Sequence, residues 1–445
     1  PNRYQRDNEK MYKGHLLNTE TYVGGHVESL RSGIYRNDLD QHFKLDPLAF
    51  EELIENVDQV IKFGLEVESN VNLNDVTNYD EVKEQMVSLL SHLRDNPESH
   101  QLPKIYHLDV GAMYPNIILT NRLQPSAVVD DVTCASCVHN NSKSRCKRRL
   151  EWTYKSETFS ANRSEYNNIK KQLMEEKFTD TTKSSWQQNQ LVPFAELPHE
   201  RQFELLKKRL TEYSKRAYGR TFNREQVTRV STICMRENPF YVDTIQRFRD
   251  RRYEYKKMLK TWQNNLTSSE EKKSMDGIEM SKKMIVLYDS LQVAHKCILN
   301  SFYGYVMRKG ARWYSLEMAG VVTHTGSNII KMARELVDRI GISLELDTDG
   351  IWCMLPSNFP ENFTFTLKDG RKVRMSYPCT VLNQRTHHYF TNNQYQEKKD
   401  NSYLISNRCD IFFEVDGPYR AMILPASKEE GKGIKKRYCI YNLDG

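Results

Sequence analysis

Long hydrophobic runs are missing from this 445-residue chain. It holds no stretch of roughly 18 or more apolar residues, and its first 20 residues are polar. Neither a membrane span nor a signal peptide is therefore expected, and no membrane partner. Nine cysteines are too few for a disulfide scaffold of this length, and the odd number suits a reducing compartment. Only 14 prolines occur and no internal repeat is visible, so fibrous, solenoid and disordered classes drop out. The formal charge of +7 is compatible with nucleic acid but does not select it. What remains is an ordinary globular composition, 38% hydrophobic, 28% charged and 11% aromatic, with 25 tyrosines. This length buries a sizeable core and suggests two to four domains.

The charge is spread unevenly. Residues 31–100 hold 15 Asp and Glu against 6 Lys and Arg, whereas residues 201–260 hold 17 Lys and Arg against 7 acids. The second segment is suited to a polyanion, although a solvated helical face has the same composition.

Periodicity gives an α+β chain. Asp46 and Pro47 open an amphipathic helix carrying Leu48, Phe50, Leu53, Val57, Val60 and Phe63. Residues 77–94 read as a second helix, and Ile105 to Val110 as a strand entering a tight segment at Gly111 and Ala112. From residue 140 to about 230 the chain opens on a basic cluster and reads as an inserted, largely helical subdomain. Segments 237–260 and 280–307 read as long helices with a polar link, forming a projecting hairpin. A further helix over 315–340 is expected to end at Gly341 as its C-terminal glycine. Leu344–Leu346 and Ile351–Leu355 read as strands around an acidic turn, and Asp369-Gly370 and Asp416-Gly417 as the turns of two more hairpins.

Three groups of residues carry chemistry. Asp109 ends one strand, while Asp347 and Asp349 sit on a turn about 240 residues later, between apolar strands. Acids at turns often serve only as turn formers. Carboxylates converging from separate strands, however, can hold two Mg²⁺ ions for phosphoryl chemistry. Arg252 and Lys256 share one helix face, and Lys296, Asn300 and Tyr303 share another, with Met307 a turn beyond. Such pairs commonly face water, yet a shared anion would offset their repulsion and a triphosphate needs several such donors. Cys134, Cys137 and Cys146 follow a C-x2-C-x8-C spacing, which suits zinc or iron–sulfur, with reduced free thiols as the alternative. The remaining cysteines, Cys234 apart, lie singly in apolar or strand contexts and read as buried small side chains.

These residues resemble the motifs of the family B DNA polymerases, and the resemblance covers essentially the whole chain. Asp109 to Pro115 (DVGAMYP) looks like motif A, Lys296 to Gly304 (KCILNSFYG) like motif B, and Asp347-Thr348-Asp349 like motif C. Lys435-Lys436-Arg437-Tyr438 resembles the KKxY motif near the primer, and Tyr22-Val23-Gly24-Gly25 the YxGG motif near the template. Glu345-Leu346 before Asp347 and Gly350 after Asp349 depart from the commoner family forms and narrow the match to one branch, which replicates nuclear chromosomes.

The resemblance implies a DNA-templated DNA polymerase with a palm, helical-hairpin fingers and an inserted processivity subdomain. Asp109, Asp349 and Asp347 would be catalytic, with Asp109, Asp349 and the backbone of Val110 holding two Mg²⁺ ions. Arg252, Lys256, Lys296, Asn300, Met113, Tyr114 and Tyr303 would bind the deoxynucleotide, Tyr114 as a gate against the 2′-hydroxyl rather than a plain core aromatic. Tyr22, Gly24, Gly25, Lys435, Lys436 and Tyr438, with Arg220 and Arg224 one turn apart in the insert, would contact primer–template DNA. Cys134, Cys137, Cys146 and Cys234 match a set that holds a 4Fe–4S cluster in that branch, with Zn²⁺ as the alternative. The implied layout is residues 1–45 as linker and start of the palm, 46–150 palm, 151–230 processivity element, 231–310 fingers and 311–445 palm. Exonuclease and thumb domains are expected outside the chain. Accessory subunits, a sliding clamp and the replicative helicase are the implied partners, and the nucleus the location. A catalytically inactive, DNA-binding polymerase-like module is the alternative.

Overall fold

The computed structural model describes residues 11–12, 15–179, 191–400, 402–427 and 433–443. The fold is mixed α+β with several antiparallel sheets. Contacts divide it into two compact units, residues 1–23 with 151–229, and residues 24–150 with 230–445.

The larger unit is organised by a five-stranded sheet. Its strands are β1 (Glu28–Ser29), β2 (Pro103–Val110), β3 (Ile342–Asp347), β4 (Gly350–Pro356) and β5 (Phe413–Tyr419), in the spatial order β5-β2-β4-β3-β1. Every residue of β4 is buried, and β2 alternates less than a one-sided strand would, because both carry helices or loops against them. The expected acidic hairpin is present: β3 and β4 pair from Ile342↔Met354 to Asp347↔Gly350, leaving only Thr348 and Asp349 in the turn.

Helices pack around this sheet. α1 (Pro47–Glu55) starts as expected, with the Leu48 N–H donating to Asp46 and Pro47 in the first turn. It stops at Asn56, whose side chain donates to the Glu52 carbonyl, and a separate turn of helix follows from Val57 to Phe63. The expected second helix is α2 (Tyr79–Asp95). Then α3 (Met113–Asn121), almost wholly buried, follows directly on β2. The hairpin helices are α4 (Phe240–Glu271) and α5 (Met275–Met307), both longer than the sequence suggested. The polar link is itself mostly helical, since Ser, Glu and Lys tolerate a helix, and the reversal is confined to Lys272–Ser274 with Lys273 at φ 53°.

α6 (Leu316–Ile340) opens on a Ser315 cap and packs across β3 and β4. Gly341 ends it, but not as a left-handed cap: its backbone is extended, at φ −172°. A Cβ there would lie 2.5 Å from the Met354 carbonyl oxygen, so the glycine is needed for close approach to β4. The hairpin expected around Asp416-Gly417 is also absent. β5 runs through that dipeptide along β2, and Ala421–Leu424 leaves for a different sheet beside Gly33–Arg36.

In the smaller unit, strand His15–Tyr22 pairs with Lys147–Phe159, which neighbours Phe222–Cys234. Helices Arg163–Glu175 and His199–Tyr218 close a core of Leu16, Phe159, Ile169, Leu173, Phe194, Leu206 and Leu210. The insert thus combines its two helices with the long strands Lys147–Phe159 and Phe222–Cys234 rather than being largely helical. The missed signal is the period-two burial of Trp152, Tyr154, Ser156 and Thr158 under a charged composition.

Because backbone rather than a movable side chain faces Gly341, Gly341→Ala should destabilise the larger unit by about 1–3 kcal/mol. Urea unfolding followed by tryptophan fluorescence measures this, and an unchanged midpoint would remove the close-approach explanation.

Candidate active site

Antiparallel register builds the site. On β2, Asp109 stands opposite Gly350 of β4 on one side and Glu414 of β5 on the other. The Val110 N–H donates to the Asp349 carbonyl at 2.8 Å, tying the acidic turn to the end of β2. The chain then turns sharply: Ala112 adopts a left-handed φ of 47° before α3 begins. Gly111 passes so near Glu414 that a Cβ would lie 2.7 Å from Oε1.

A cleft of ≈180 Å³ opens at this end of the sheet. Asp109, Val110, Met113, Tyr114, Asp349, Arg252, Lys256, Lys296 and Asn300 all line it, so the two helix faces and the two strand-end acids meet. Tyr303 adjoins it, its ring 4.5 Å from that of Tyr114. Gly25 lies here too: a Cβ on it would come within 2.8 Å of the Tyr114 hydroxyl and 2.6 Å of Thr348. Gly24, by contrast, faces open space.

The electrostatics are lopsided. Asp109 is pushed up to about 7, chiefly by burial and then by Asp349 and Glu414. Asp349 is raised as well, by burial and by Asp347. Asp109 Oδ1 is buried and has no hydrogen-bond partner among the described residues, and neither has the buried Nε of Arg252. An orphaned acceptor in a crowd of carboxylates fits a divalent cation, and an orphaned guanidinium N–H fits an anion. Asp347 does not line the cleft. It accepts from Lys436 Nζ at 2.6 Å and from the Thr348 N–H.

The other expected DNA contacts are dispersed. Lys435 is exposed, the Lys436 N–H donates to the buried Glu345 carboxylate, and Tyr438 packs 5.2 Å from Trp352. In the smaller unit, Tyr22 pairs with Tyr154 at a strand end. Arg220 and Arg224 are not one helical turn apart: Arg220 precedes the strand Phe222–Cys234 and Arg224 lies on it, 3.2 Å from Glu157. The Gly219 cap ends the preceding helix before either is reached.

The cysteines gather at one end of the strand Phe222–Cys234. Thr232 and Ile233 pair with Val129 and Val128, the helix Asp131–Ala135 carries Cys134, and the Met235 N–H donates to the Cys146 carbonyl. Burial raises the Cys234 thiol, with Cys146 adding to the effect. The Cys137 N–H donates to the Cys134 carbonyl. Among the described residues, however, no three His, Cys, Asp or Glu side chains converge on a metal-sized gap.

Sequence reasoning missed Glu414, Thr348, Tyr253 and Leu299 in the cleft. Glu414 was readable in principle, as an acid set between the apolar Phe413 and Val415 on a strand.

Comparison with known proteins follows the geometry. Residues 243–365 match the family model for DNA polymerase family B. The whole chain is 53% identical over 449 residues to the catalytic subunit of DNA polymerase epsilon from Emericella nidulans, and 53% over 448 residues to that of Saccharomyces cerevisiae. The chain carries a family B DNA polymerase domain. The corresponding protein of Dictyostelium discoideum is 51% identical over 451 residues, again across all of this chain. In each case the chain spans about a fifth of the relative's own length, 19–20%. No described helix is long and apolar enough to cross a membrane.

Asp109 supplies a stability test. Its folded-state pKa lies above the unfolded value of about 3.9, so its ionisation costs stability as pH rises from about 4 through 7. Asp109→Asn should therefore raise the metal-free melting temperature at pH 8, by about 1–3 °C. Mg²⁺ should stabilise the parent protein and leave the variant unmoved. Equal Mg²⁺ stabilisation of both in differential scanning calorimetry would contradict the cation assignment.

Proposed function

We propose that this chain carries the polymerising centre of a DNA-templated DNA polymerase of the epsilon type, extending a primer 3′-hydroxyl with deoxynucleoside triphosphates. One observation carries the reading: an orphaned carboxylate oxygen on Asp109 and an orphaned guanidinium N–H on Arg252 line a single cleft. Reading the chain as an inactive DNA-binding module leaves both of these costly groups without a purpose.

In this reading Asp109 and Asp349, with the backbone of Val110, hold two Mg²⁺ ions. When bound, the ions supply charge neutralisation at the phosphates and acidity for the primer hydroxyl. Arg252, Lys256, Lys296 and Asn300 bind the triphosphate from the hairpin, which serves as the fingers. Met113 and Tyr114 form the floor beneath the sugar, and Tyr114 rejects ribose by collision rather than by an added contact. Tyr303, its ring tilted against that of Tyr114, packs against the nascent base pair. Lys436 keeps Asp347 neutralised at the edge of the site, so Asp347 acts on the acidic turn and not as a third ligand. Lys435, Lys436 and Tyr438 lie on the primer side, and Tyr22, Gly24 and Gly25 on the template side. The smaller unit is the processivity element, with Arg220 and Arg224 contacting duplex phosphates without reading sequence. Accessory proteins of the epsilon holoenzyme, the sliding clamp and the replicative helicase are the partners, in the nucleus.

Primer extension by the full-length protein tests this. Asp349→Asn should abolish extension, by at least about 10³-fold, while primer–template affinity stays nearly unchanged. Tyr114→Ala should admit ribonucleotides with a smaller effect on deoxynucleotides. Full extension by Asp349→Asn would sink the catalytic assignment, and unchanged sugar discrimination would return Tyr114 to packing.

We also propose that Cys134, Cys137, Cys146 and Cys234 hold one metal centre, a 4Fe–4S cluster, with a structural role. Their gathering at one strand end supports this, and the cluster takes no part in polymerisation. Anaerobically purified protein should contain about four iron atoms per chain with a cysteine-ligated absorption band. Zinc would keep the site and change its metal, and absence of both metals would return the four residues to free thiols.

A further inference from the structure

Arg249 stands on α4 at i−3 from Arg252 and i−7 from Lys256, so it is the lowest rung of the same ladder. Unlike the other two it does not line the cleft. Its side chain, only 12% exposed, plugs into the palm. One guanidinium nitrogen, Nη1, donates to Asp410 Oδ1 at 2.7 Å and to Asn116 Oδ1 at 3.2 Å. Asn116, 2% exposed on α3, turns its amide Nδ2 the other way and donates to the Gly111 carbonyl at 2.7 Å. Gly111 lies between Val110 and the strained Ala112, in the turn that follows Asp109.

This relay joins the cationic face of α4 to the turn that follows Asp109. The α4 helix is buried only at Tyr241, Val242 and Ile245, so among the described residues nothing beyond its second turn except Arg249 is gripped by the palm through a buried charge. Asp410 is anchored in turn by Arg408 at 2.6 Å and by its own N–H donating to Thr120 on α3. Arg408 also reaches Gln246, one turn before Arg249 on α4. Charged groups this enclosed are costly unless each is paired, and here each one is.

Resting on the polymerase reading above, we propose that Arg249 is a positioning residue for nucleotidyl transfer. With Asp410 and Asn116 it fixes the triphosphate-binding face of α4 against the Gly111 turn that aims Asp109. Arg249 touches no reacting atom. Its effect passes through Asn116 to the Gly111 carbonyl, and a displacement of about 1 Å at such a turn is worth about 100-fold in rate.

The test uses the full-length protein with primer–template, Mg²⁺ and single-turnover insertion, separating the maximal rate from nucleotide affinity. Arg249→Ala should lower the maximal rate about 100-fold and alter nucleotide Kd by less than about 3-fold. Arg249→Lys should recover about 10-fold, because it keeps a charge for Asp410 but lacks the planar fork. Asn116→Ala should also slow insertion, and combining it with either Arg249 variant should add almost nothing, since both break one relay. If Arg249→Ala fails to fold, the pair Arg249→Lys and Asn116→Ala reads the same coupling. A maximal rate within about 2-fold of the parent despite a lower melting temperature would overturn the proposal. So would raised Kd at constant rate, which would make Arg249 a direct nucleotide contact, or fully multiplicative losses. An inactive parent protein would overturn the polymerase reading and this inference together, whereas an active parent with unaffected variants would overturn this inference alone.

Discussion

The hydrogen bond from the Val110 N–H to the Asp349 carbonyl closes the acidic end of the sheet, and the rest of the site is arranged around what it forces together. Strand register alone would put Asp109 beside Gly350 and Glu414. The added bond holds the two-residue turn over the end of β2, bringing Asp349 into the electrostatic reach of Asp109. Carboxylates gathered in a half-buried setting repel one another and lose hydration. A fold would not build this for stability, and the raised pKa of Asp109 is the visible cost. Such a cost is characteristic of a place where a charge is to be received.

The molecule confines that cost to a few atoms. Asp347 is taken out of the crowd by Lys436, whose own N–H is held by Glu345, a wholly buried carboxylate on β3. Asp410 is surrounded by Arg249 and Arg408. Among the described residues, Asp109 and Asp349 are the acids left in the cleft without an ion pair of their own, while Lys256 lies 3.9 Å from Glu414. Charge pairing therefore sorts the acids into supported ones and receptive ones, though their sequence contexts look alike.

That sorting marks the limit of what the sequence discloses. The strand before Asp109, the acidic hairpin, the Asp46 cap and the Arg252–Lys256 face were all legible, because each is a local pattern. Glu414 was readable only as an acid between apolar strand residues, and Arg249 was not readable at all. Each matters through a partner more than 100 residues away, Asp109 for the first and Asn116 for the second. The insert was misread for another reason: its inward-facing Trp152, Tyr154, Ser156 and Thr158 are too polar and too mixed to make alternation stand out. Gly341 was placed correctly and explained wrongly, since helix-end glycine usually signals a left-handed cap. Only the position of the Met354 carbonyl reveals that space, not φ, is the constraint.

The hairpin adds the last constraint. α4 and α5 run 32 and 33 residues, yet their buried side chains lie chiefly at the palm end, so they project as a lever anchored at its base. Along α4 the positive charges fall in a graded series. Arg249 is saturated by Asp410, Asp250 and Asn116, Arg252 is half-buried with Nε unsatisfied, and Lys256 is exposed beside Glu414. A polyanion entering the cleft would find nothing to take from Arg249, an open donor at Arg252, and a weak, solvent-screened pair to displace at Lys256. The first rung thus holds the lever while the outer two remain able to bind. Exchanging these roles, by leaving Arg249 unpaired and burying Lys256 in a tight ion pair, would keep the same net charge. It would nevertheless give a helix that binds phosphate poorly and has no fixed base from which to present it.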